Sequence, residues 1–237
     1  MTRTLLVVLA HPDDEIGCAG TIAAHSAQGH RVVLTFLTHG EMTESLGPLK
    51  ASEVAEQREQ HAQEAGRILG CEIRFLDYND TRVQVTPDAN YDVAKLIAEV
   101  QPNALLTWGH GAMRGMRHPD HQATGEITRN AVTLARIARV VAPLSPHRES
   151  APVFTIRDHH HRLPLVAIDV SQQMETITKL GTFYRERVGW PPAEWLRTRA
   201  LKAGSEFGCE AAEIFEAWES EPGLYRSLFD SKGFLPL

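Results

Sequence analysis

A chain of 237 residues with 43% hydrophobic and 23% charged residues has the make-up of one folded α/β domain, and residues 1–237 are read as a single domain. Its net charge of -6, with no run of Lys or Arg, gives it nothing to draw nucleic acid or an anionic membrane. Cys18, Cys71 and Cys209 are scattered and unpaired in spacing, which argues against a disulfide framework; no apolar run reaches signal-peptide or membrane-span length, so a cytoplasmic protein is expected.

Along the chain, Leu5–Leu9 is continuously apolar, the pattern of a strand buried on both faces of a parallel sheet. A helix is expected from about Glu15 to Gln28, stopped by Gly29. Arg31–Thr38 is rich in β-branched residues and reads as a second strand. Glu53–Leu69 reads as a helix stopped by Gly70, with Val54, Ala62, Ala65 and Leu69 among its apolar positions. Glu72–Tyr78 follows as a strand, Tyr91–Val100 as a helix, Ala104–Gly109 as a strand and Gln122–Val141 as a helix. Beyond Pro143 the pattern loosens. Pro152–Ile156 and Leu165–Val170 read as strands, Gln172–Val188 as a helix, and short helices are expected around Ala193–Ala203 and Ala211–Trp218. The alternation predicts an α/β fold, a Rossmann-like three-layer sandwich with a mostly parallel sheet and an elaborated C-terminal part.

One tetrapeptide shape occurs twice. HPDD (His11–Asp14) follows the first strand, and HPDH (His118–His121) follows the fourth after a glycine-rich loop. In each, the proline sits where a first helical residue is expected, the histidine takes the cap, and the acids fall in the first turn. Acids after a proline can be simple helix-start chemistry. Capping prefers Ser, Thr, Asn or Asp, however, so two histidine caps are unexplained. Several ionisable groups at a buried strand end also cost several kcal/mol unless paired or bound to a cation. A metal accounts for both. Residues three apart, such as His11 and Asp14 or His118 and His121, share one side of a turn, whereas Asp13 points elsewhere. In the common doubly wound order the first and fourth strands are neighbours at the switch point, which brings the two turns to one crevice. Two histidines and one carboxylate leave an open position, the pattern of catalytic zinc.

AHPDDE near the N-terminus with HPDH in mid-chain resembles the PIG-L/LmbE-like family of zinc-dependent N-deacetylases, over roughly the first 140 residues. Ala19–Ala23 (AGTIA), Thr38–Glu41 (THGE), Arg58 and the AEIF stretch at Ala212–Phe215 add to the resemblance. It implies one zinc ion per chain on His11, Asp14 and His121, with Asp13 as general base and a protonated His118 stabilising the oxyanion. It also implies removal of the acetyl group from an N-acetylglucosaminyl-type small molecule through a metal-activated water, N-acetylglucosaminyl-malate being one candidate. Arg58 matches a substrate-binding position. His39 and His110 lie on the same sheet edge and are further substrate-binding candidates, and a homo-oligomer is expected. Asp120 is expected to orient an imidazole, and His25, His30 and His61 to lie at the surface. His61 stands where many relatives carry Glu, and KLGTFYRERVGW keeps Lys179 and Tyr184 but lacks the Ser-Gln that often follows. That region commonly shapes the substrate pocket. A thiol-conjugate amidase is the neighbouring alternative. A non-catalytic metal- or nucleotide-binding domain is another, although no G-x-G-x-x-G follows the first strand. A metallophosphoesterase would want two metals and more ligands.

Overall fold

Successive side chains of the first strand, β1 (Thr4–Leu9), belong to two different cores, because strand residues alternate between faces. Leu5, Val7 and Leu9 join Ile22, Leu34, Phe36 and Leu69 on one side, and Leu6 and Val8 join Val93, Ile97, Leu105 and Ile127 on the other. Full burial of such side chains is worth about 1.5–3 kcal/mol each, which makes β1 the centre of a three-layer molecule. The computed structural model describes residues 2–109, 118–157, 163–191, 194–217 and 220–231.

After β1 come α1 (Ala19–Ala27), β2 (Arg31–Thr38), α2 (Ala51–Leu69), β3 (Glu72–Tyr78), α3 (Pro87–Val100), β4 (Ala104–Thr107), α4 (Pro119–Leu134) and the short α5 (Ala138–Val141). Then follow β5 (Val153–Ile156), β6 (Leu165–Asp169), α6 (Met174–Val188), α7 (Trp195–Phe207), β7 (Ala212–Ala217) and β8 (Gly223–Tyr225). The sheet order is β3-β2-β1-β4-β5-β7-β6-β8. Strands β1 to β5 pair in parallel and β7 runs antiparallel between β5 and β6. The predicted α/β class with a mostly parallel sheet is the observed one, and β1 and β4 are neighbours, Leu5 opposite Ala104.

Three elements depart from expectation. The helix predicted to begin at Glu15 is interrupted: Asp14–Gly17 forms a 3-10 turn and α1 starts at Ala19. The helix expected over Gln122–Val141 is two pieces, α4 and α5. Ala211–Trp218 supplies strand β7, not a helix. Its two glutamates are buried, and Glu213 reaches across to accept from the N–H groups of Gly20 and Thr21 at 2.9 and 2.8 Å. A buried carboxylate thus satisfies two of the open donors at the start of α1.

Glycine decides one contact that positions the site. A Cβ on Gly125 of α4 would stand 2.3 Å from the Trp108 carbonyl oxygen just after β4, so only glycine allows α4 to lie this close to the strand end.

His25, expected at the surface, is fully buried in α1. Its Nδ1 donates to the Thr21 carbonyl at 2.7 Å, and its Nε2 accepts from the Leu228 N–H at 3.1 Å. A backbone donor therefore needs the neutral ring, and burial pushes the imidazole down to about 4. Because the folded-state pKa lies below the unfolded value, stability is full above about pH 6.5 and falls as pH drops towards 4. Urea unfolding at pH 7 and pH 4.5 should differ by about 2 kcal/mol less in a His25→Gln variant than in the parent.

Candidate active site

The chain turns immediately after β1, and Asp14 folds back onto it. Its Oδ2 accepts from the N–H groups of Ala10 and His11, both at 3.0 Å, and from Trp108 Nε1 at 3.1 Å. Oδ1 is left facing Nε2 of His121 at 3.1 Å. Burial alone would raise this carboxyl, but His121 and His11 hold it well below the usual carboxylate range. Asp13 lies between them in the left-handed region, with φ 95°, a conformation costing a non-glycine residue about 1–2 kcal/mol. The Asp13 N–H donates to Glu15 Oε2 at 2.9 Å, and its Oδ2 accepts from Arg58 Nη2 at 2.8 Å. Arg58 Nη2 also donates to the Pro12 carbonyl. Burial raises the Asp13 carboxyl, and the Arg58 charge opposes that rise. Two adjacent acids therefore face different partners. Because Asp13 is left-handed, Pro12 is not the first residue of a helix here, unlike Pro119 in the second turn.

His118 caps α4, its Nδ1 accepting from the Asp120 N–H at 3.3 Å. One turn on, His121 stacks on Trp108 with ring centroids 4.0 Å apart and planes 7° from parallel. The His118 and His121 rings come within 4.5 and 5.2 Å of the His11 ring. Burial, then the nearby His11 charge, lowers the His118 pKa. A neutral ring whose Nδ1 accepts this N–H carries its proton on Nε2.

His11 joins the two turns. Its Nδ1 lies 3.7 Å from Asp14 Oδ2, and its Nε2 lies 3.1 Å from Asp80 Oδ1 and 3.3 Å from Asp120 Oδ2. Asp120 is fully buried and accepts from the N–H groups of Thr81 and Val83 at 2.7 and 3.3 Å. Asp80 Oδ2 accepts from the Met42 N–H at 3.0 Å. Burial alone would lower the His11 imidazole, but Asp120, Asp14 and Asp80 together push it up to about 12. Three carboxylates around one ring leave the site short of positive charge, and a divalent cation would meet that need. Two groups of described residues have donors spaced to share one ion: His11, His118 and His121, and His11, Asp80, His118 and Asp120. Asp14, anchored on Oδ2, offers Oδ1 beside the first.

The substrate-binding candidates fare differently. Arg58 is 3% exposed, and its Nη2 is engaged with Asp13 and Pro12. His39 bonds Asp77 Oδ1 through Nε2 at 2.8 Å and stacks on Phe75 at 4.3 Å. With Glu41, Asp77, Asp80 and Arg82 it lines a pocket of about 470 Å³ that shares Asp80 with the His11 cluster. His110 and the His159–His161 run lie outside the described residues. Sequence reasoning missed Asp80 and Trp108. Both lie just past strand ends, at the sheet edge that drew attention to His39, and that rule applied to every strand would have found them.

Residues 6–132 match the PIG-L family, described as GlcNAc-PI de-N-acetylase. A diacetylchitobiose deacetylase of Thermococcus kodakarensis is 29% identical over 89% of this chain and 81% of its own length. A probable N-acetyl-alpha-D-glucosaminyl L-malate deacetylase 2 of Bacillus anthracis is 34% identical over 55% of this chain and 59% of its own. The chain thus spans less than two thirds of that second relative. The crystal structure of N,N'-diacetylchitobiose deacetylase from Pyrococcus horikoshii superposes with a TM-score of 0.77 at 26% identity, covering 91% of this chain and 83% of that one. No helix among the described residues is long and apolar enough to cross a membrane.

Addition of Zn²⁺ to chelator-treated protein should raise the unfolding temperature, and chelator should reverse the gain, since a ligand bound only by the folded state stabilises it. His11→Ala, which removes the residue common to both donor groups, should abolish that shift in a thermal melt.

Proposed function

The chain belongs to the PIG-L family, and on that premise we propose that it is a zinc-dependent N-deacetylase acting on N-acetylglucosaminyl-type substrates. The observation that carries the reading is the approach of His121 Nε2 to Asp14 Oδ1 at 3.1 Å, with His11 Nδ1 3.7 Å from the other oxygen of the same carboxylate. Two histidines and a carboxylate, drawn from separate turns, form a donor set suited to one catalytic zinc with an open position. In this reading His11, Asp14 and His121 hold the ion, and the Nε2–H of His11 is steadied by Asp120, the carboxylate–histidine support usual behind a metal ligand. When bound, the ion supplies Lewis acidity towards the attacking water and the acyl oxygen.

The remaining steps belong to the protein. Asp13 takes a proton from the water as its oxygen attacks the acetyl carbon. Burial raises the Asp13 carboxyl above its ordinary value, the direction that suits a base, while Arg58 opposes the rise and aims it. Neutral His118 donates through Nε2 to the oxyanion of the tetrahedral intermediate, a role worth about 3–4 kcal/mol for one well-placed donor. Asp13 then returns the proton to the amine nitrogen as the C–N bond breaks, and acetate and a free amine leave. His39, beside Asp77 in the adjoining pocket, is positioned for the part of the substrate beyond the acetamido group. N-Acetylglucosaminyl-malate, N-acetylglucosaminyl-inositol and diacetylchitobiose form the panel to test, in line with the activities for which relatives are named.

Acetate should be released from at least one N-acetylglucosaminyl conjugate of that panel, with activity lost to chelator and restored by Zn²⁺. Asp13→Ala should keep its ion and lose roughly 10²–10⁴-fold in kcat, and His121→Ala should lose ion and activity together. Turnover by Asp13→Ala near the parent rate with zinc bound would refute the base assignment.

A further inference from the structure

Glu15 takes no part in the chemistry above, yet it is fully buried beside the base. One oxygen, Oε2, accepts the Asp13 N–H at 2.9 Å; the other, Oε1, accepts the Tyr184 O–H at 2.5 Å. Tyr184 is itself fully buried, on α6 in the C-terminal part. Lys179 of the same helix is exposed. The stretch that resembles a pocket-shaping segment of the family therefore sends its tyrosine inward, to a carboxylate behind the catalytic turn.

We propose that Glu15 and Tyr184 are positioning residues for the base: a buried carboxylate–phenol pair that holds Asp13 in its left-handed turn and so keeps its side chain on Arg58. The inference rests on Asp13 being the base. Three features carry it. A buried carboxylate costs several kcal/mol unless its hydrogen bonds repay it, and an apolar side chain could fill the same space without that cost. The backbone N–H that the Glu15 side chain accepts is that of Asp13, the residue of this turn with positive φ. Without that bond the left-handed residue gains by returning to the right-handed region, where Pro12 and Asp13 would continue the 3-10 turn backwards. The Asp13 carboxylate would then leave Arg58 Nη2, now 2.8 Å away. Tyr184 locks the brace, because a carboxylate with a donor on each oxygen cannot swing away from either. In this way α6 takes part in setting the reacting geometry without touching substrate.

The test is a double-mutant cycle on zinc-loaded protein, with a conjugate that the parent deacetylates, using Tyr184→Phe and Asp13→Asn alone and together. Zinc per chain and KM are read in every variant. Tyr184→Phe should lower kcat by roughly 10-fold to 100-fold, the scale of a catalytic group displaced by about 1 Å, while KM and zinc content stay at parent values. On the Asp13→Asn background the same change should have almost no further effect, because it acts through Asp13. Glu15→Gln, which keeps an acceptor for the Asp13 N–H, should retain more kcat than Glu15→Ala. A Tyr184→Phe enzyme within two-fold of the parent, an equal loss in both backgrounds, or a loss of zinc would each overturn the brace. Full turnover by Asp13→Asn alone would instead remove the base assignment, and the brace with it.

Discussion

Asp14 Oδ2 is held by two backbone N–H groups at the end of β1 and by the indole of Trp108 at the end of β4. Most of the site follows from that anchorage. It fixes where Oδ1 points, and His121 meets it there. It also ties together the two strand ends on which the motifs sit, so the distance between turns is set by the ladder between β1 and β4 and not by loop conformation. Side chains held this way on rigid elements have a precision that loops do not give.

The different directions of the Asp13 and Asp14 carboxylates have a backbone cause. Adjacent residues in a regular turn would direct their carboxylates only about a third of a turn apart. A left-handed residue at Asp13 breaks that relation and aims one acid at Arg58 while its neighbour faces His121. The strain is held from both sides, by Arg58 of α2 on the side chain and by Glu15, backed by Tyr184 of α6, on the N–H. Strained backbone held by its surroundings clusters at active sites, ligand clamps and switch regions. Gly125 contributes at the other turn by letting α4 lie against the Trp108 carbonyl, which brings His118 and His121 over the sheet edge.

Much of this was legible in the residues. Apolar runs gave the parallel strands because a strand buried on both faces leaves no alternation to misread, and Arg31–Thr38 and Glu72–Tyr78 have the expected bounds. The repeated histidine–proline–aspartate turns pointed to one crevice because neighbouring parallel strands present their carboxyl ends together. What stayed hidden depends on long-range contacts. Ala212–Ala217 looks helical until Glu213 is seen to serve the start of α1. His25 looks like a surface residue until Leu228 donates to it from the far end of the chain. Asp80 carries no local signal beyond its place after a strand, and no local pattern reveals that Asp13 is bonded by Arg58 of α2 or that its neighbour Glu15 is bonded by Tyr184 of α6.

Anomalous diffraction at the zinc edge from zinc-loaded crystals addresses the central claim, that Asp14 holds the ion and Asp13 does not. One peak is expected about 2.0–2.2 Å from His11 Nδ1, Asp14 Oδ1 and His121 Nε2, with the Asp13 carboxylate outside the coordination sphere and still on Arg58. A peak bound by Asp13, or one seated between His11 Nε2, Asp80 and Asp120, would contradict it.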